Sequence, residues 1–186
     1  MPASPWPGAA ARRWAVPPAV GGRGAREARA VHRNVAAVLA AGRSLGLELE
    51  VRSYPDGTRT AADAAAAIGV ELGSIVKSLV FAVDGRVTMA LMSGGNRLDE
   101  RALAAAAGGG SCARADAGAV RAATGYPIGG VPPFGHATPL RVFADRDLLR
   151  HEVVWAAAGT PNDNFALPPA DLIRVSGATV ADLAAR

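Results

Sequence analysis

Cysteine, histidine and lysine are all scarce in this sequence of 186 residues: it has one cysteine, Cys112, three histidines and a single lysine, Lys77. A lone thiol excludes an internal disulfide framework, and the three histidines lie too far apart along the chain to suggest a zinc site. No serine stands in a G-x-S-x-G turn, Cys112 has no histidine near it in sequence, and no catalytic triad can be assembled from the spacing. No run of about 18 apolar residues is free of a charge, a proline or a glycine cluster, which excludes a membrane-spanning helix. The N-terminus also lacks the uninterrupted apolar core of a secretory signal. These absences point to a reducing, cytoplasmic setting and to chemistry that needs neither metal nor cofactor.

Half of the residues are hydrophobic, enough for one substantial core. The formal charge of +4 and the pI of about 10.2 invite a nucleic-acid reading. The charge is unevenly placed. Residues 1–33 hold six arginines against Glu27 alone, net +5, whereas 14 basic and 15 acidic residues follow. Residues 1–25, rich in proline, glycine and alanine, are expected to be a disordered extension, with a single domain over 26–186. A solvated leader and an RNA-contacting arm are both compatible with that extension.

Apolar positions at helical spacing predict a first helix between Arg26 and Leu47, with Gly46 as its stop. The alternation in Leu47–Tyr54 predicts a half-buried strand, ended by Pro55-Asp56-Gly57. Thr60 and Asp63 resemble a capping box ahead of an alanine-rich helix that stops at Gly69. Two β-branched and apolar runs, Ile75–Val83 and Arg86–Met92, flank Asp84-Gly85 and predict a hairpin. Helices are expected at Asp99–Ala107 and from Asp116 to Thr124, strands at Leu140–Ala144 and Glu152–Ala158, and a last helix from Pro169 to Ile173. Hairpins interspersed with helices imply an α+β fold.

Lys77 raises the chemical question. Strand alternation puts it on one face with Ile75, Leu79 and Phe81, while Ser78 faces the other way. An ammonium on so apolar a face either snorkels from an edge or enters a cleft where an anion meets it. The other nineteen basic residues are arginines, so a retained lysine is informative. The segment Gly125–Gly135, "GYPIGGVPPFG", sets three prolines among four glycines. It reads as a turn or as a stiff loop whose bare amides can bind an oxyanion. Gly159 and Thr160 follow a predicted strand and can line a pocket or simply make a turn. Asp145 is an N-cap for the residues after it or a site carboxylate. Cys112 reads as an inert thiol, and His136 and His151 as surface or turn residues.

Taken together, "TAADAAAAIGVELGSIVKSLVFAVDGRVTMALMSGGNRLD", "ATGYPIGGVPPFGH" and "VWAAAGTPNDNFALPPADLIRVSGA" resemble the YbaK-type aminoacyl-tRNA deacylases, relatives of the editing domain of bacterial prolyl-tRNA synthetases. The likeness covers roughly residues 49–178. It rests on three features in the family's order: a lysine on the strand after an alanine-rich helix, a G-x-x-x-P loop (Gly129-Gly130-Val131-Pro132-Pro133), and a strand that ends in glycine before a polar turn.

The resemblance implies a mixed, largely antiparallel sheet curled into a partial barrel and surrounded by helices. It also implies a free-standing trans-editing hydrolase that cleaves the ester of mischarged aminoacyl-tRNA without a side-chain nucleophile. On that reading Lys77 holds the adenosine end of tRNA, and Gly129 and Gly130 present amides to the ester carbonyl. Ser78, Val131, Pro133, Asp145, Gly159 and Thr160 contact the substrate. The partners are the aminoacyl-tRNA acceptor end and, for delivery, a synthetase; no membrane, metal or cofactor takes part. The apolar Val131-Pro132 differs from the small polar or thiol-bearing loop of members that favour cysteinyl-tRNA. Ala158, Gly159 and Thr160 suit a small amino acid. The rival readings are a non-catalytic module that senses tRNA or an aminoacyl-adenosine, and an RNA-binding protein acting through its arginine-rich arm.

Overall fold

Local chemistry sets the helix ends. In the computed structural model, which describes residues 32–54 and 60–185, helix α1 spans Arg33–Ser44 and α2 spans Ala61–Ile68. The expected extension at 1–25, the first part of the expected Arg26–Leu47 helix and the Pro55-Asp56-Gly57 turn lie outside the described residues. The α2 capping box is complete: Asp63 N donates to Thr60 Oγ1 and Thr60 N donates to the Asp63 carboxylate, both at 3.1 Å. Gly69 ends the helix at φ 81°, a left-handed conformation that glycine adopts without strain. Asp99 caps α3, Glu100–Ala106, and Asp116 caps α4, Ala117–Thr124. Pro169 opens α5, Pro169–Ser176, where its missing N–H has no intrahelical acceptor to lose.

Strands β2, Val76–Val83, and β3, Arg86–Ser93, form the expected hairpin. Asp84 and Gly85 both have positive φ, 47° and 76°, as a two-residue turn of the primed type requires. Around this hairpin a five-stranded sheet is built in the order β4-β2-β3-β5-β8, with β4 at Cys112–Arg114, β5 at Arg141–Asp145 and β8 at Thr179–Ala181. The β3–β5 and β5–β8 pairs are parallel and the others antiparallel. A second, antiparallel sheet holds β1 (Val51–Ser53), β7 (Asp163–Leu167) and β6 (Val154–Ala157) in the order β1-β7-β6. The fold is therefore α+β with mixed, largely antiparallel pairing. Among the described residues the strands do not close into a ring. One parallel bridge, Ile75 to Trp155, links the two sheets.

Strands β4, β7 and β8 are not predicted by the sequence pattern. β4 and β8 have three residues each, too few for a period to register, and β7 begins Asp163-Asn164, which reads as turn. The expected strand Leu47–Tyr54 shrinks to Val51–Ser53, the only part opposite β7 residues. Leu47 is buried in the core, and Leu49 packs against it beside Gly42.

The strands sort their side chains cleanly. One face of β2, β3 and β5 sends Val76, Val80, Met89, Leu91, Val142 and Ala144 into the main core, with Val38 of α1, Leu172 and Val175 of α5, and Val131 and Phe134. The opposite face places Phe81, Val83, Ala90, Met92 and Phe143 under Leu103 and Ala104 of α3. A third cluster packs α2 against Ile75 and Trp155. Burial of such side chains contributes roughly 25 cal/mol per Å² of apolar surface, which makes these three clusters the chief stabilising element of the fold.

Candidate functional site

Lys77 emerges beside the second and third of these clusters. Its half-buried ammonium donates to Gly94 O at 3.2 Å and to Asn96 O at 2.5 Å. An ammonium has three N–H groups, so one remains for a ligand. Burial pushes the Lys77 pKa down, and the Asp145 carboxylate opposes that shift. Lys77 pairs with Met92 on β3, and one register step beyond the Leu91–Ala144 pair sets Asp145 next in the same row. Two inter-strand steps separate Lys77 from Asp145 by roughly 10 Å at the backbone, and among the described residues the two form no ion pair.

Asp145 is 2% exposed, and its carboxylate accepts from three donors: Ser93 N (3.3 Å), Asn96 Nδ2 (2.8 Å) and Asp147 N (3.1 Å). It thus caps the 3-10 turn Arg146–Arg150, as its position in sequence suggests, and also fastens the turn that holds Lys77. Nothing in the sequence pattern marks Asn96.

The glycine-proline loop is built differently. Gly130 N donates to Pro127 O at 3.0 Å, and Gly129 has φ 85°, which together define a type II turn over Pro127–Gly130. This differs from the expected donor set, since the Gly130 amide is taken up by the turn. Gly129 N and Val131 N have no acceptor among the described residues. Gly130 matters by its size, since a Cβ there would lie 2.8–2.9 Å from the Thr160 backbone. His136, expected at a turn or surface, has Nε2 2.8 Å from Pro132 O, and burial pushes its pKa below the ordinary value. Tyr126 Oη donates to Gly135 O at 3.3 Å. Two rings therefore brace the loop at carbonyl groups, and neither role is visible in the local sequence.

Thr160 and Gly159 lie in the hairpin loop between β6 and β7. Gly159, at φ 96°, is buried and its carbonyl accepts from Asn34 Nδ2 of α1 at 2.9 Å. The Thr160 hydroxyl donates to the Asp163 carboxylate, which also accepts from Ser53 Oγ. The isolated Ile75–Trp155 bridge brings the start of β2 against β6. The Thr160 backbone packs against Gly130. Ser78 faces the other way, toward Val76 and Val80, and its buried Oγ has no protein partner.

The structure thus joins Gly129, Gly130, Gly159 and Thr160 into one wall and places Lys77 and Asp145 in a separate polar nest. Among the described residues no hydrogen bond links the two groups. Val131 is buried in the main core. Pro133 lines a cavity of about 420 Å³ with Ala41, Leu45, His136 and Val175, on the α1 and α5 side of the loop. Cys112, on β4, has a pKa raised by burial and by nearby Glu100, consistent with an unreactive thiol. Among the described residues no group of three or more His, Cys, Asp or Glu is arranged to hold a metal ion, and no helix is long and apolar enough to cross a membrane.

The structure defines a mixed-sheet α+β domain with a carbonyl-held lysine and a stiff glycine-proline loop. The particular family follows from comparison with known proteins. Residues 55–175 match the model of the aminoacyl-tRNA editing domain, and the chain belongs to that family. It is 31% identical over 129 residues to the uncharacterized protein YwhH of Bacillus subtilis (strain 168), covering 69% of this chain and 82% of that protein. Over 107 residues it is 35% identical to the proline–tRNA ligase of Maridesulfovibrio salexigens, covering 58% of this chain but only 18% of the ligase. A crystal structure described as a proposed trans-editing enzyme for prolyl tRNA synthetase superposes with a TM-score of 0.80 at 43% identity, covering 84% of this chain and 99% of that one.

Proposed function

We propose that the chain is a free-standing trans-editing hydrolase that removes a small amino acid from mischarged tRNA. The observation that carries this reading is the Lys77 ammonium, held by two carbonyls with its third N–H left over. In the reaction, water adds to the ester carbonyl, the bond from that carbon to the ribose oxygen breaks, and a free amino acid and an uncharged tRNA end leave. Lys77 holds the terminal adenosine at its phosphate, as a positioning cation. Gly129 N and Val131 N are the free donors suited to the developing oxyanion, and preorganised donors of this kind contribute about 10²–10³ in rate each. Of the small residues Ala158, Gly159 and Thr160, the first two are packed in the interior and half-buried Thr160 is the one suited to line space for a small side chain.

The roughly balanced charge beyond residue 33 suits recognition of the acceptor end rather than the tRNA body, because broad phosphate coverage requires many cations. The similarity to part of proline–tRNA ligases and to a proposed trans-editing enzyme for prolyl tRNA synthetase supports a place in translation fidelity in the cytoplasm, with a synthetase as a partner for tRNA delivery. The test is deacylation of a panel of mischarged tRNAs by the wild type and by Lys77→Ala. Loss of a charge-assisted contact of about 1.5–3 kcal/mol should lower kcat/KM by about 10- to 100-fold on the preferred substrate. Equal activity in the two proteins removes Lys77 from the mechanism. Binding of tRNA without turnover by the wild type would establish a sensing module instead.

A further inference from the structure

We propose that Asp145 and Asn96 are positioning residues that aim the Lys77 ammonium by fixing the turn whose carbonyls hold it. The Ser93–Asn96 turn is fastened from both sides. Gly94 N donates to Ile75 O at 2.7 Å and Asn96 N to Ser93 O at 3.1 Å, while Ser93 Oγ donates to Gly73 O at 2.8 Å. Opposite them, one Asp145 oxygen accepts both Ser93 N and Asn96 Nδ2. The Asn96 side chain bridges further to Asp147 Oδ2 at 2.8 Å.

An N-cap needs one carboxylate oxygen, and Asp145 Oδ1 serves Asp147 N in that role. The second oxygen is free of that duty and spends its acceptor capacity on the lysine's turn. Because Asp145 is 2% exposed and its oxygens are filled from within, it acts on a ligand only through Lys77. The chain of contacts, Asp145 to Asn96 to Lys77, fixes two of the three ammonium N–H directions and therefore the third. The same carboxylate supplies the charge that opposes desolvation of the ammonium. Around Lys77, β2 contributes Ile75 and Leu79 and β3 contributes Met92, none of them titratable. Asp145 from β5 and Asp147 from the turn after it are the charged groups that the turn brings into play.

The sole lysine makes this measurable without an assay of function. In protein labelled with ¹³C and ¹⁵N lysine, Lys77 gives the one lysine side-chain signal. Asp145→Asn should lower its titration midpoint, and Asn96→Ala should broaden or shift the signal toward that of a free lysine. The consequence for activity rests on the editing reading above: each variant should lose about tenfold in kcat/KM on the preferred mischarged tRNA, with no further loss when combined with Lys77→Ala. An unchanged Lys77 signal in Asn96→Ala overturns the proposal, as do losses that multiply in the Lys77→Ala background. If Asp145→Asn does not fold, Asn96→Ala, on a half-buried turn, decides alone. A wild type that deacylates no tRNA while the lysine signal responds as stated would refute the editing reading and leave the positioning of Lys77 intact.

Discussion

The lysine nest and the glycine-proline loop are held in place by opposite means. Lys77 is placed by a network of hydrogen bonds that ends on one buried carboxylate, so its geometry depends on charge and on side chains far apart in sequence. The loop is placed by covalent stiffness and small size: a type II turn at Gly129, two prolines, and Gly130 pressed against the Thr160 backbone. A polar network can be weakened in steps, whereas a steric fit fails at once. The contrast predicts which substitutions are graded and which are abrupt.

The most abrupt should be Gly130→Ala. Its methyl would meet the Thr160 backbone at 2.8–2.9 Å, and backbone cannot rotate away as a side chain can, so the wall must open. A destabilisation of about 1–3 kcal/mol is expected from overpacking, together with loss of most turnover if the loop amides serve the oxyanion. Calorimetry and single-turnover deacylation would read the two effects. Full activity would show that the loop tolerates displacement and would erase the contrast.

Lys77→Arg should have an intermediate effect. A guanidinium keeps the charge, yet its planar fork does not fit two carbonyls arranged for a tetrahedral ammonium. A loss of about tenfold in kcat/KM is expected, smaller than that of Lys77→Ala. Parity with wild type would mean that charge alone matters and that the nest is not a directional device.

The smallest effect belongs to His136, the imidazole that braces the loop. Its folded pKa lies below the ordinary value of about 6.5, so the unfolded chain binds the proton more readily. Its contribution to stability is therefore complete above about pH 6.5 and falls as pH drops toward the folded pKa. His136→Ala should lower the melting temperature at neutral pH by a few degrees, for about 1 kcal/mol lost, and should flatten the acid side of the stability profile. An unchanged profile would assign that slope to other groups.

Much of the fold is legible in the sequence because its signals are local. The Asp84-Gly85 turn, the Thr60–Asp63 box and the Asp99 and Asp116 caps each act within a few residues, and each is realised. Strands β4, β7 and β8 escape notice because they exist only where a partner lies beside them, and three or five residues carry no period of their own. The candidate site divides along the same line. Lys77, the G-x-x-x-P loop and the Gly159 turn stand out by composition, whereas Asn96, His136 and Asn34 matter through contacts with distant carbonyls that no spacing foretells. The Gly130 amide shows the converse: glycine richness pointed to a donor, but turn geometry had already used it.

The Asn34–Gly159 hydrogen bond has a practical corollary for where this domain begins. Asn34 lies outside the segment that matches the editing-domain model, residues 55–175, as do β1 and β8, which pair with β7 and β5. A fragment trimmed to the matched segment would leave the Gly159 carbonyl without its donor and bare two strand edges, the usual starting points for aggregation. The cooperative unit is larger than the recognisable one, and expression boundaries are best drawn ahead of α1 and beyond Ala181.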